Sequence, residues 1–258
     1  MNKSPIQGET AALLETHALS RHFGGLKAVD SVDFTINSGE IRALIGSNGA
    51  GKSTLVAMLC GRLLPTAGRV HFEGVDITRF SPDKRIALGM GYTFQITRVF
   101  GELTVLDNVI LGARQQGKRN IDGQDADSIN RSVNAKPAVR AANALARFGL
   151  DQHARRLAKE LSYGHRRLLE VVMATATHPR LLMLDEPTQG LADAEIENFN
   201  AVIRDISQHS TVLLIEHNMH VVMELATRIS VMHEGRMLAE GEPDEIRANP
   251  EVQAAYLE

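Results

Sequence analysis

The sequence predicts an α/β fold built on a mostly parallel sheet, and three observations carry that prediction. Two unbroken apolar runs, Leu181-Leu182-Met183-Leu184 and Thr211-Val212-Leu213-Leu214-Ile215, suit strands buried on both faces. Helical periodicity recurs before and between such runs. A further strand, Arg42-Ala43-Leu44-Ile45, enters a glycine-rich turn that opens a helix. The order strand, helix, helical block, strand, helix, strand implies an α/β core with a helical lobe inserted at about residues 96–175.

In chain order, residues 1–11 are polar and expected to be flexible, and a single domain is read over 12–258. Residues 12–45 carry short alternating segments, Val32-Asp33-Phe34-Thr35-Ile36 among them, which read as β. The helix after the glycine-rich turn is expected from Lys52 to about Arg62, broken by Pro65 and Gly68. Residues 113–138 are polar and read as exposed loop. Helical spacing resumes at Val139–Phe148 and again from about His165 to Thr177, with Leu168, Leu169, Val172, Met173 and Ala176 in phase. No internal repeat is visible, so the chain holds one copy of the unit.

Composition excludes several roles. A chain of 258 residues can bury a sizeable core. The net charge of −3 argues against a broadly basic surface, so nucleic acid is not an expected partner. The absence of Trp and the 4% aromatic content leave little for stacking on single strands. Cys60 is the only cysteine and reads as a buried thiol, which suits a cytoplasmic setting. The start, MNKSPIQGET, lacks the apolar core of a secretory signal. No apolar run approaches the ~18 residues of a membrane span, so a role at a membrane must come through a partner. The ten histidines lack zinc-site spacing. Arg155-Arg156 and Arg166-Arg167 read most simply as solvated faces, with contacts to a partner subunit as the alternative.

The chemistry begins at Gly46-Ser47-Asn48-Gly49-Ala50-Gly51-Lys52-Ser53, which fits G-x-x-x-x-G-K-[ST] between a strand and a helix. Glycines let backbone N–H groups converge on phosphate oxygens, and the helix N-terminus adds a positive field. Lys52 is placed to reach the β- and γ-phosphates, and the Ser53 hydroxyl can ligate Mg²⁺. The strand Leu181–Leu184 ends in Asp185-Glu186. Asp185 can hold Mg²⁺ through its water shell, and Glu186 can orient or deprotonate an attacking water. Together the two motifs indicate a P-loop NTPase.

Leu161-Ser162-Tyr163-Gly164-His165 precedes the helix that leads to the Asp185 strand. It resembles the LSGGQ signature of ATP-binding cassette (ABC) proteins. A serine cap and a glycine at a helix N-terminus make an anion site. Gln95 after Met90-Gly91-Tyr92-Thr93-Phe94 falls where the family has its Q-loop glutamine, His217 where it has its switch histidine, and Phe23 where an aromatic stacks on adenine. The ordered set covers about residues 12–258. The resemblance implies a P-loop core with a mostly parallel sheet, an N-terminal antiparallel β subdomain and an inserted helical lobe. It implies ATP and Mg²⁺ as cofactors, with nucleotide held by Phe23, Gly46 through Ser53, and Thr54. Ser162 and Gly164 would close on the ATP of a second cassette, head to tail. The metal would be held by Ser53, Gln95 and Asp185, and catalysis would rest on Glu186, His217 and Gln95.

Within the family the chain looks most like the ATPases of branched-chain amino acid importers. The supporting segments are Phe23–Val29, Leu103–Val109, Leu161–Gly164 and the ending Gly241–Arg247 with Asn249-Pro250 and Ala255-Tyr256-Leu257. That likeness implies separate membrane permeases, a solute-binding protein and a place at the cytoplasmic face of the cell membrane. A lipopolysaccharide-export ATPase is the nearest rival within transport. A soluble DNA-repair or translation cassette and an unrelated P-loop kinase or GTPase are the alternatives outside it. Two departures stand out. In the signature His165 replaces the glutamine and Tyr163 a glycine, the latter a replacement common in this subgroup, and Ala192 occupies the D-loop Asp position, with Asp193 one place later.

Overall fold

The alternating segments near the start form two long strands, β1 (Ala12–Phe23) and β2 (Leu26–Asn37), paired antiparallel. With β4 (Ala67–Phe72) and β5 (Val75–Asp76) they build a four-stranded sheet in the order β2-β1-β4-β5. The structure, a computed structural model, describes residues 12–93, 99–114 and 137–257. The expected flexible residues 1–11, the Gln95 position and most of the loop expected at 113–138 therefore lie outside the described residues.

The second sheet has six strands in the order β10-β9-β3-β8-β7-β6. They are β3 (Ile41–Gly46), β6 (Met90–Tyr92), β7 (Leu181–Asp185), β8 (Thr211–Ile215), β9 (Arg228–His233) and β10 (Arg236–Gly241). All neighbours run parallel except β9 and β10. Every residue of β3, β7 and β8 is buried, because both faces are covered. Leu181, Met183, Leu213 and Ile215 point into the layer shared with the antiparallel sheet and α1 (Lys52–Leu59), and the short α2 (Pro82–Ala87) precedes β6. Leu182, Leu184, Val212 and Leu214 point the other way. That second layer packs on α3 (Val105–Arg114), α4 (Pro137–Arg147), α5 (Tyr163–Thr175) and α6 (Asp193–Ser207). Such strands read as unbroken apolar runs because neither face meets water.

Four expectations need correction. The first helix ends at Leu59, well before Pro65, because Gly61 turns the chain with φ of +75°. Ala113 and Arg114 close α3 and are not part of a loop. Arg167 is no solvated face: its side chain is 2% exposed, on the inner side of α5. The helix expected from His165 begins two residues earlier, since Ser162 caps it.

Candidate nucleotide site

Parallel pairing of β7, β8 and β3 brings three loops to one edge of the sheet. The phosphate loop leaves β3, Asp185 and Glu186 end β7, and His217 follows β8. The carboxyl ends of parallel strands are where open α/β sheets place their ligands.

Within the loop, Ser47, Asn48 and Gly49 are exposed and Ala50 is buried. Gly51 sits at the start of α1 with φ of +100°, and a Cβ there would come within 2.3 Å of the Ala28 carbonyl oxygen. Only glycine fits that approach, and it lets the helix open directly from the turn. The hairpin turn between β9 and β10 braces the loop, with the Gly235 N–H donating to the Ala50 carbonyl at 3.0 Å. Lys52 Nζ donates to the carbonyls of Gly46 and Ser47 at 2.7 and 3.0 Å. Burial lowers the Lys52 pKa, while Glu186 and Asp185 act to raise it. The cation and both acids therefore share one electrostatic neighbourhood. Ser53 is exposed and Thr54 half-buried on the same turn. Phe23 is 47% exposed at the end of β1, with the Arg21 guanidinium 4.6 Å from its ring centre.

Asp185 is buried, and burial raises its pKa, opposed chiefly by the Tyr92 hydroxyl, which donates to it at 3.0 Å. Ser53 and Asp185 offer hydroxyl and carboxylate oxygens, the hard donors that Mg²⁺ prefers. Glu186 adopts φ of +46°, a left-handed conformation unusual for a residue other than glycine. Its N–H donates to the Ile215 carbonyl at 2.8 Å. His217 Nδ1 lies 4.0 Å from Glu186 Oε1.

At α5, the Ser162 hydroxyl accepts the His165 N–H at 3.2 Å and so caps the helix. His165 Nδ1 also stands 3.2 Å from that hydroxyl. Gly164 faces α6: a Cβ there would meet Glu195 Oε1 at 2.3 Å. Glu195 in turn accepts the Ala192 N–H at 3.0 Å. Ala192 has no side chain able to cap α6, so Glu195 supplies what support that N-terminus has. The signature segment and the departure at Ala192 therefore meet at one glutamate.

Two groups have structural roles that the sequence reading did not give them. Arg167 reaches the carbonyls that follow β7. Glu216 is buried and accepts from Thr188 through one oxygen and from the His217 and Asn218 N–H groups through the other. The adjacent Glu216-His217 pair was the available signal, since a carboxylate at the end of a buried strand needs partners.

A phosphate loop between a parallel strand and a helix, faced by an acidic pair two strands away, defines a P-loop nucleotide hydrolase. Family comparison narrows the class: residues 29–189 match the ABC transporter model. Residues 236–257 match the model described as branched-chain amino acid ATP-binding cassette transporter. The chain belongs to the ATP-binding cassette family of transporter ATPases.

It is 41% identical to the high-affinity branched-chain amino acid transport ATP-binding protein LivG of Salmonella typhimurium, covering 95% of this chain and 97% of that one. It is 32% identical to the probable LivG of Methanocaldococcus jannaschii, covering 96% and 98%. Among solved structures it resembles the ADP conformation of an ATP-binding cassette of an ABC transporter. There the TM-score is 0.82 and the identity 31%, over 96% of this chain and 99% of that one. As an ABC ATPase the chain binds nucleotide, hydrolyses ATP and works with membrane permease components. Among the described residues no helix is long and apolar enough to cross a membrane.

Proposed function

We propose that this chain energises import of branched-chain amino acids, or of a related small solute, through separate permeases served by a solute-binding protein. Likeness over nearly the whole length to LivG proteins supports that cargo, as does the match of the C-terminal residues 236–257. The chain would sit peripherally at the cytoplasmic face of the cell membrane, with the helices between β6 and β7 forming the inserted lobe.

The observation that carries the chemistry is the meeting of Lys52, Asp185, Glu186 and His217 at one sheet edge. Backbone N–H groups of Gly46 through Ser53 and the Lys52 ammonium would hold the phosphates, with Thr54 beside them and Phe23 against adenine. Ser53 and Asp185, with Gln95 from outside the described residues, would hold Mg²⁺, which supplies charge neutralisation between phosphate oxygens. Glu186 would take the proton of the attacking water, and His217 and Gln95 would orient the reacting groups. Ser162 and Gly164 would complete the ATP site of a second cassette, the same chain or a homologue, paired head to tail.

The test is purification of the chain from gently solubilised membranes, with identification of what accompanies it and of the solute that stimulates its ATPase. Permeases and a branched-chain amino acid response are expected. Recovery only with soluble proteins would overturn the reading.

A further inference from the structure

Arg167 lies on the second turn of α5, five residues beyond the Ser162 cap, and its side chain is 2% exposed. Nη1 donates to Glu170 Oε2 at 3.0 Å, and that glutamate is buried too. Nη2 donates to the Asp185 carbonyl at 3.2 Å and to the Glu186 carbonyl at 2.9 Å. Burying a guanidinium is costly, and an apolar side chain of similar volume would fill the space with no desolvation penalty. What the apolar side chain cannot do is grip two successive carbonyls.

Those carbonyls flank the Glu186 Cα. The peptide between Asp185 and Glu186 is held at both polar ends, its carbonyl by Arg167 and its N–H by the Ile215 carbonyl. The peptide between Glu186 and Pro187 has no N–H, so its carbonyl is the only polar handle on that plane. Arg167 holds it. With both planes fixed, the backbone angles of Glu186 and the direction of its Cβ are fixed as well. The conformation needs holding: φ is +46°, and a residue before proline is already restricted to extended geometry.

We propose that Arg167 is a positioning residue that aims the Glu186 carboxylate by pinning the peptide planes on either side of it. The inference rests on Glu186 being the proton acceptor proposed above. It also makes α5, the helix capped by Ser162, the element from which Glu186 is aimed.

The test uses the assembled transporter, with Arg167→Lys, Glu186→Gln and the two combined. Lysine keeps the charge beside Glu170 but loses the planar fork. Expected for Arg167→Lys is a kcat reduced about tenfold or more, with KM for ATP and nucleotide affinity within about twofold of the parent. Added to Glu186→Gln, the same change should cost less than about twofold further, because residues acting as a unit are non-additive. If Arg167→Lys does not fold, Arg167→Met with Glu170→Leu removes both charges together and leaves no unpaired ion. The same kcat-selective loss is expected there. Loss of hydrolysis in Glu186→Gln with undiminished kcat in the folded Arg167 variants overturns the role of Arg167 alone. A loss that adds in full to that of Glu186→Gln does so as well, since it would mark a purely structural effect. Near-normal hydrolysis by Glu186→Gln overturns the reading of Glu186, and the proposal with it.

Discussion

Glu216 binds Thr188 twice: one carboxylate oxygen accepts the Thr188 hydroxyl at 2.5 Å and its N–H at 3.0 Å. The other oxygen accepts the N–H groups of His217 and Asn218 at 3.0 and 3.2 Å. One buried side chain therefore ties the segment after Glu186 to the segment that carries His217. Changing Glu216 to Gln places an amide nitrogen against donors, and at least one buried N–H loses its partner. Such a loss costs roughly 1–3 kcal/mol. Denaturant unfolding of Glu216→Gln should show a lower midpoint with an unchanged slope. An unchanged midpoint would mean that the two segments hold their positions without it.

At Lys52 the expected effect falls on binding. Its ammonium bonds to the Gly46 and Ser47 carbonyls, and under the proposed function those donors would turn to the β- and γ-phosphates on ATP binding. Hydrogen bonds to charged groups contribute about 1.5–3 kcal/mol, so Lys52→Ala should weaken ATP binding roughly 10- to 100-fold. Titration with ATP and with AMP separates the effect, since AMP lacks the phosphates concerned. Equal losses for both nucleotides would place Lys52 outside phosphate recognition.

Asp185 gives a prediction in pH. Burial raises its folded-state pKa above the ordinary value of 3.8. The folded chain thus favours the protonated form more than the unfolded chain does. This contribution to stability is complete below the unfolded value and is lost as pH rises through the folded one. At neutral pH the ionised Asp185 therefore costs stability that a neutral amide does not. Without nucleotide, Asp185→Asn should therefore be more stable than the parent at pH 7. The gap should close as pH falls to 3.8. Hydrolysis should be lost throughout. Equal stability of the two proteins at pH 7 would show that the fold compensates the buried charge fully.

How far the sequence reached follows from how local each signal is. The strands β7 and β8 were legible because both faces are buried, so composition alone marks them. The phosphate loop was legible because its glycines answer a local backbone demand, as Gly51 does against the Ala28 carbonyl. Arg167 was misread because charge in a sequence suggests water, and only packing α5 against the end of β7 turns that charge inward. Its signal was the i,i+3 spacing to Glu170, which supplies a partner on the same helix face. The β9–β10 hairpin escaped because its turn, Glu234-Gly235, departs from the usual asparagine-glycine pair, though both residues have positive φ, +45° and +77°.

Glu186 carries the last prediction. Its φ of +46° turns the residue out of the β7 ladder while Asp185, one place earlier, stays buried beside Tyr92. Two adjacent carboxylates thus receive different settings, one enclosed and one 21% exposed with His217 Nδ1 at 4.0 Å. Under the proposed function the half-buried one, Glu186, would accept a proton from the water attacking the terminal phosphate. Changing it to Gln keeps the shape and a hydrogen-bonding oxygen but removes that acceptor, and losing a general base costs roughly 10²–10⁴ in rate. ATP binding should survive, since Lys52, Ser53 and Asp185 are untouched. With hydrolysis blocked, a closed ATP-bound pair of cassettes should accumulate, and where the partner is a different chain the trapped species is the mixed pair. Hydrolysis rate, nucleotide affinity and molecular mass of Glu186→Gln with ATP and Mg²⁺, with and without the partner cassette, give the test. Hydrolysis near the parent rate would move the proton acceptor elsewhere, with His217, 4.0 Å from Glu186, placed to take the role. Loss of ATP affinity would instead mark Glu186 as part of the binding site, since a group that serves only the chemical step leaves ground-state affinity unchanged.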